Sequence, residues 1–312
     1  MRAQQAGDTV TAMTQWDGQG LPPAAQARID RAGTDRVWSS LLSIRGQAGV
    51  HSVGLDPVGE VMGSMVEHIG FAGYGGCGMW VPMTRGFGIP AAGGPTVTSG
   101  AGGFSGFAPY VDALYRGYDT AMYRMLLEAQ ALGADGIVGV TCVRERLLDT
   151  NGANEFVARG TAVRARGPVR PSTLFATDLS GGDVAKALHA GWVPTGLVWG
   201  ISVAIRHDDY MTRMAAAPWS GQNIEVPGYT ELVTYARHDA RVQFHNRAGG
   251  MGADAATVSD MSLRIWAIEP NEGHRDHVAE AVVVGNSLVR FHQGEQAPTD
   301  SRLVMPLKGR QL

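Results

Sequence analysis

The sequence predicts an α+β protein built from two tandem modules, each an antiparallel sheet covered by helix. Residues 42–66 (LSIRGQAGVHSVGLDPVGEVMGSMV) align without a gap onto 179–203 (LSGGDVAKALHAGWVPTGLVWGISV), with nine identities in twenty-five positions. A second block, ALGADGIVGV (131–140), matches GMGADAATVS (250–259), where a helix-ending Gly-Ala-Asp opens a β-type run. Each half then closes on a strand-like segment, EFVARGTAVRA (155–165) and AEAVVVGNSLVRF (279–291). A pattern that recurs in the same order predicts two copies of one module rather than one large fold.

The elements follow in chain order. Residues 1–37 are expected to form an arm, in which LPPAAQARIDRA (21–32) opens a short helix with its prolines. In each repeat a Ser after Leu, Ser43 or Ser180, occupies the N-cap position of a short helix that stops at Gly54 or Gly191. Pro57 or Pro194 prevents that helix from continuing, and VGEVMGSMV or TGLVWGISV runs on as a strand. Glycine weakens a strand interior, so Gly59, Gly63, Gly196 and Gly200 are expected to mark a closely packed helix or a bulge.

The long helix of the first repeat steps by three or four through Val111, Leu114, Tyr118, Met122, Met125, Ala129 and Leu132 and ends at Gly133. Its counterpart begins near Pro227, steps through Tyr229, Leu232, Ala236, Ala240, Phe244 and Ala248, and stops before Gly249 and Gly250, its opposite face richer in His and Arg. Two strands follow each helix, 136–146 and 155–165 around DTNGAN, and 255–268 and 278–291 around EPNEGH. The copies differ mainly at 70–107, thirteen glycines in thirty-eight residues, an insertion of eighteen residues in the first copy. The predicted organisation is an arm (1–37), repeat 1 (38–168) with its Gly-rich insertion (70–107), repeat 2 (169–292) and a tail (293–312).

Composition excludes several classes. With 312 residues the chain is long enough for two cores. A net charge of −3 with scattered Lys and Arg offers no basic face for nucleic acid. No apolar run approaches the ~18 residues of a membrane span, and MRAQQAGDTVTAM lacks the apolar stretch of a signal peptide, so a cytoplasmic protein is expected. Cys77 and Cys142 give neither a disulfide framework nor a CxxC clip.

Candidate chemistry is thin. His238 and His245 lie seven apart on one helix face, and His207-Asp208-Asp209 and His274-x-x-His277 lie in loops. Imidazole is a common metal ligand, which makes His207, His238 and His245, with Cys77 as a soft donor, the metal candidates; exposed histidines without a metal are the more frequent case. GYGGCG (73–78) and GAGGFSG (100–106) expose backbone N–H groups but fit neither a P-loop nor a dinucleotide fingerprint. GxSxG and HExxH are absent, no catalytic residue is predicted, and Glu128, Asp135 and Asp254 are read as surface or capping groups. Asp135 and Asp254 recur in both copies, as expected of residues that bond the turn after a helix-ending Gly. Trp192, Trp199, Trp219 and Trp266 in repeat 2 are expected in its core more often than as binding anchors, with interfaces the other place that favours them.

Pro57, Gly59, Val61 and Gly63, then LLEAQALGADGIVGV (126–140) and Gly-Thr-Ala-Val (160–163), resemble the YbjQ-like heavy-metal-binding family of bacterial proteins. Repeat 2 carries a degenerate version in Pro194, Gly196, Val198, Gly200, Gly252-Ala-Asp254 and Gly285. The resemblance covers about 38–166 and 170–292 and implies dodecin-like units in a pentameric ring, hence ten modules from five chains. Structural roles are expected, on the residue readings above, for Pro57, Gly59, Gly63, Gly133, Asp135, Pro194, Gly196, Gly200, Gly252 and Asp254. The family's metal label gains nothing from the positions the copies share, where His68 faces Ile205, Cys142 faces Met261 and His51 faces Leu188. The function expected is therefore a non-enzymatic, ring-forming scaffold without a cofactor, with the Gly-rich loop or termini open to a protein partner. A metal sensor using repeat 2 histidines, or a small-molecule site between repeats or subunits, are the alternatives.

Overall fold

The computed structural model describes residues 16–32, 39–70, 96–99, 107–147, 152–168, 170–217, 223–269 and 275–291. Most of the arm, most of the Gly-rich insertion with Cys77, Trp219, His274 and the tail lie outside them. After helix α1 (Pro23–Ala32), the first half runs α2 (Ile44–Ser52), β1 (Leu55–His68), β2 (Val97–Thr98), α3 (Ala108–Ala131), β3 (Gly136–Arg146) and β4 (Ala153–Ala165). A short strand β5 (Phe175–Ala176) leads into α4 (Gly181–His189), β6 (Trp192–His207), α5 (Tyr210–Ala215), α6 (Pro227–Gly250), β7 (Ala255–Ile268) and β8 (Asp276–Arg290). The architecture is α+β, with two open sheets and their helices.

The two sheets have the orders β1-β4-β3-β5 and β2-β6-β8-β7. Pro57 pairs with Val163 and Gly136 pairs with Val163 in one sheet; Pro194 and Ala255 both pair with Leu288 in the other. Register shifts fall at Pro57/Gly59 and Pro194/Gly196, and again at Val138/Thr141 and Val258/Asp260. Ser43 accepts from Gly46 N and Ser180 from Asp183 N, so both short helices are capped alike. Both stop at a left-handed glycine, Gly54 (φ 76°) or Gly191 (φ 80°), a conformation costly for any residue with a Cβ.

Three sequence expectations are corrected. The strands start before the prolines, at Leu55 and Trp192, because each proline sits at a bulge where its missing N–H leaves no gap in the ladder. Helix α6 runs through Gly249 to Gly250, because the left-handed glycine that ends it is Gly252 rather than either of these. The halves also do not keep separate sheets: β2, from the Gly-rich segment of the first half, pairs with β6 of the second sheet, and β5 adds a parallel strand beside β3.

The strand glycines divide by role. A Cβ on Gly63 would fall on the Ala121 carbonyl and the Met125 N of α3, and one on Gly200 on the Ala240 carbonyl and Phe244 N of α6. Only glycine lets each helix backbone lie directly on its sheet. Gly59 and Gly196 instead sit at the bulges and meet only the side chains of Leu132, Met251 and Ser287. Gly133 and Gly252 take left-handed conformations (φ 67° and 72°) that end α3 and α6.

The layers run first sheet, α3, second sheet, α6. One core cluster joins Val61, Leu114, Met125 and Phe156 to Trp199, Ile201, Val203 and Val282 across α3. A second packs Leu232, Ala236, Ala240 and Phe244 of α6 against Val198, Ala281 and Val283 on the far side of the second sheet. Strands β6 and β8 are thus buried on both faces, as their near-continuous apolar sequences require. Short helices α2 and α4 cross where Gly49 meets the backbone of Gly181 and Gly182.

Candidate functional site at the junction between the sheets

Where β3 and β8 face each other across the α3 layer, Arg144 Nη2 donates to Glu280 Oε1 at 2.7 Å, and both side chains are buried. Tyr110 of α3 donates to Glu280 Oε2 at 2.5 Å. Burial would lower the Arg144 pKa, but the Glu280 carboxylate outweighs it and the pKa is raised. Burial, then Glu280, pushes the Tyr110 phenol up, so it stays a donor. A buried carboxylate is held only where donors surround it, and Tyr110 of α3 and Arg144 of β3 supply them to Glu280 of β8.

Beside this cluster lies a cleft of about 330 Å³ lined by Tyr118, Cys142, Val143, Arg144, Arg146, Asp260, Ser262, Arg264, Glu280, Val282 and Val284. Burial pushes the Tyr118 phenol and the Cys142 thiol each to about 12. Cys142 Sγ lies 3.7 Å from Met122 Sδ and behaves as a small apolar group. Arg146 and Arg264 stand exposed at the mouth, over an apolar floor of Val143, Val282 and Val284. The junction is closed further by Asn286, which accepts from Thr177 Oγ1 at 2.7 Å and from Asp178 N at 3.1 Å.

The metal candidates do not converge. His207 Nδ1 meets Asp276 Oδ1 at 2.6 Å, while His277 Nδ1 meets Asp208 Oδ1 at 2.8 Å and its ring packs on Tyr229. Each imidazole is thus matched to one buried carboxylate. His238 and His245 are exposed on α6, and Cys77 lies outside the described residues. Among the described residues no group of three or more His, Cys, Asp or Glu side chains is placed to hold a metal ion. These donors do not fit a heavy-metal centre, which needs several ligands converging on one point.

Asp135 and Asp254 occupy matching places but do not bond their own turns. Asp135 Oδ2 accepts from Ala165 N at 2.7 Å and Asp254 Oδ2 from Arg290 N at 2.9 Å, so each fastens the end of the neighbouring strand. Glu128 is not a surface group either: it is buried, accepts from Met62 N at 2.9 Å and pairs with Arg28 of α1 at 3.0 Å. Its carboxylate satisfies the unpaired edge of β1. Trp199 is buried at the junction and Trp266 packs against the same cluster, while Trp192 is half-buried. Sequence reasoning missed Arg144, Glu280 and Tyr110, which lie 136 and 170 residues apart and carry no local motif. The one available signal is a charged residue, Glu280, inside the apolar run AEAVVVG.

On the first-half side of this junction, residues 95–166 match the model of the YbjQ family, whose description reads "Putative heavy-metal-binding". The match covers β2, α3, β3 and β4 and bears out the resemblance seen in the sequence over that span. At the level of a particular protein, the chain is similar to the "Encapsulin nanocompartment protein Rv1762c" of Mycobacterium tuberculosis (strain ATCC 25618 / H37Rv). The two are 29% identical over 282 residues, 88% of this chain and 94% of that relative.

Proposed function

We propose that this chain is a non-catalytic, self-associating structural protein that works as a component of a protein nanocompartment, with a pentameric ring as its unit of assembly. The observation that carries this is the unfinished layer order. Sheet, helix, sheet, helix leaves the outer face of the first sheet open around Glu60, Val66, His68, Glu145 and Arg159, beyond the end that α2 and residues 40–42 cover, while the matching face of the second sheet is buried. Such a layer pattern is head-to-tail by construction, and heterologous contacts close into rings when the rotation allows. The relative's printed name supports the nanocompartment, and the YbjQ resemblance supports the ring. A native mass spectrum of the protein from its own host, without added metal, tests it. A pentamer with no unexplained mass is expected; a monomer at all concentrations overturns the assembly.

The cleft favours a second reading, in which the protein holds a small organic anion between its sheets. Arg146 and Arg264 at the mouth and the valine floor suit a carboxylate with an apolar body, and the volume lies at the lower end of ligand pockets. A stoichiometric organic adduct in the same spectrum, lost in Arg264→Glu, is the expected sign. Its absence from the freshly purified protein argues for the scaffold alone.

A further inference from the structure

The pairing registers place Leu197, Trp199, Ile201, Val203 and Ile205 of β6 against β8 in the positions that Glu60, Met62, Ser64, Val66 and His68 of β1 hold against β4. In the second sheet this face is buried against α3 and the first sheet. In the first sheet α2, α4 and residues 40–42 cover only the Thr161–Val163 end of this face, and beyond it Val66 is 55% exposed where its counterpart Val203 is 0%. Ile44, 89% exposed, likewise matches Gly181, which is buried against α2. The covering helices differ in the same sense. Tyr118 and Met122 of α3, which press on the junction, correspond to the exposed Arg237 and Arg241 of α6.

The substitutions do not scatter charge of both signs over both surfaces. The open sheet face has Glu60 and Glu145 where the second sheet has Leu197 and Arg264, keeps Glu155 in the place of Glu280, and has Arg159 as its one guanidinium. The outer side of α6 gains Arg237, Arg241, His238 and His245 around the exposed Tyr235 and Val242. A face left only to water has no reason to sort its charges in this way. A buried, largely apolar junction inside the chain is thus paralleled by a charged pair of surfaces outside it, acidic on the sheet and basic on the helix.

We infer that α6 of one copy docks on the open face of the first sheet of the next, repeating between chains the seating of α3 on the second sheet within one chain. The inner junction is buried, largely apolar around one ion pair, and permanent; the outer one is polar, reversible and weakened by salt. This contact rests on the self-association proposed above and names its surfaces.

Two charge-reversed proteins test it, Glu145→Lys/Glu155→Lys on the sheet and Arg237→Glu/Arg241→Glu on the helix, with assembly read by native mass spectrometry and sedimentation. The wild type is expected to assemble at about 0.05 M salt and to dissociate at about 0.5 M, where charges are screened within a few ångströms. Each variant alone is expected to bind itself at least ~100-fold more weakly, since like charges then face each other. An equimolar mixture is expected to associate again, because the acidic helix of one meets the basic sheet of the other. Recovery on mixing also shows that both variants are folded. Should a reversed variant melt early, Glu155→Gln, of equal size, is expected to weaken assembly about tenfold. Variants that assemble as the wild type does overturn this contact and leave self-association standing; a wild type that stays monomeric at low salt overturns both.

Discussion

Gly63 and Gly200 show what one hydrogen atom can decide. Each lies under a helix backbone that a Cβ would strike, whereas Gly59 has a side chain, Leu132 Cδ1, at 3.4 Å as its nearest neighbour. Gly63→Ala is therefore expected to lower stability by about 1–3 kcal/mol, as overpacking does, and Gly59→Ala by less than about 1 kcal/mol. Urea titrations of the two variants check the ordering, and equal losses would contradict close helix seating. At Cys142 the chemistry is set by burial, which holds the thiol near 12 and so protonated. Iodoacetamide at about pH 8 is expected to leave Cys142 unmodified in the folded protein and to alkylate it in denaturant.

At the scale of elements, α3 and α6 have the same length and the same glycine-seated contact but unlike surroundings. Helix α3 is buried on two sides, with Leu114 fully covered, whereas Val242 on α6 is 40% exposed. Leu114→Ala is expected to cost about 2–5 kcal/mol, and Val242→Ala under about 0.5 kcal/mol in the monomer. Thermal melts in high salt, where the proposed contact between copies is released, measure both. The periodic stripe of α3 was legible in the sequence because it follows the chain. That α3 carries a second covered side was not, since nothing in a local window tells a tyrosine facing a second sheet from one facing water.

For the whole molecule, Arg144, Glu280 and Tyr110 couple the halves. Glu280→Ala leaves Arg144 buried without its counter-charge and is expected to cost about 3–5 kcal/mol, with unfolding no longer two-state as the halves separate. Paired tryptophan fluorescence and circular dichroism transitions report this, and coincident curves would show that the halves remain coupled. Alkaline pH acts on Tyr110 and Tyr118 at this junction and on Tyr229 of α6, which lies against Asp208 and His277. Tyr118 and Tyr229 are raised from 10.0 to about 12, Tyr110 is raised as well, and burial comes first in each case. The folded state keeps these protons where the unfolded chain releases them. Stability is therefore full below about pH 10 and falls as pH rises toward about 12. Melting temperatures that stay flat over that window would remove the tyrosines from the account.

The sequence by itself determined the local elements: the two Ser-capped helices, the left-handed glycines that end them, the Pro-x-Gly strands and the long helices with their Gly-Ala-Asp ends. These follow from steric and hydrogen-bonding rules acting within a few residues, and they recur in both halves. Only the tertiary structure decided where Asp135 and Asp254 spend their bonds, why Glu128 and Glu280 can be buried, and that β2 crosses to the other sheet. Those outcomes depend on partners brought together from distant parts of the chain. Burial sets the value of a charge only once the layers have closed around it.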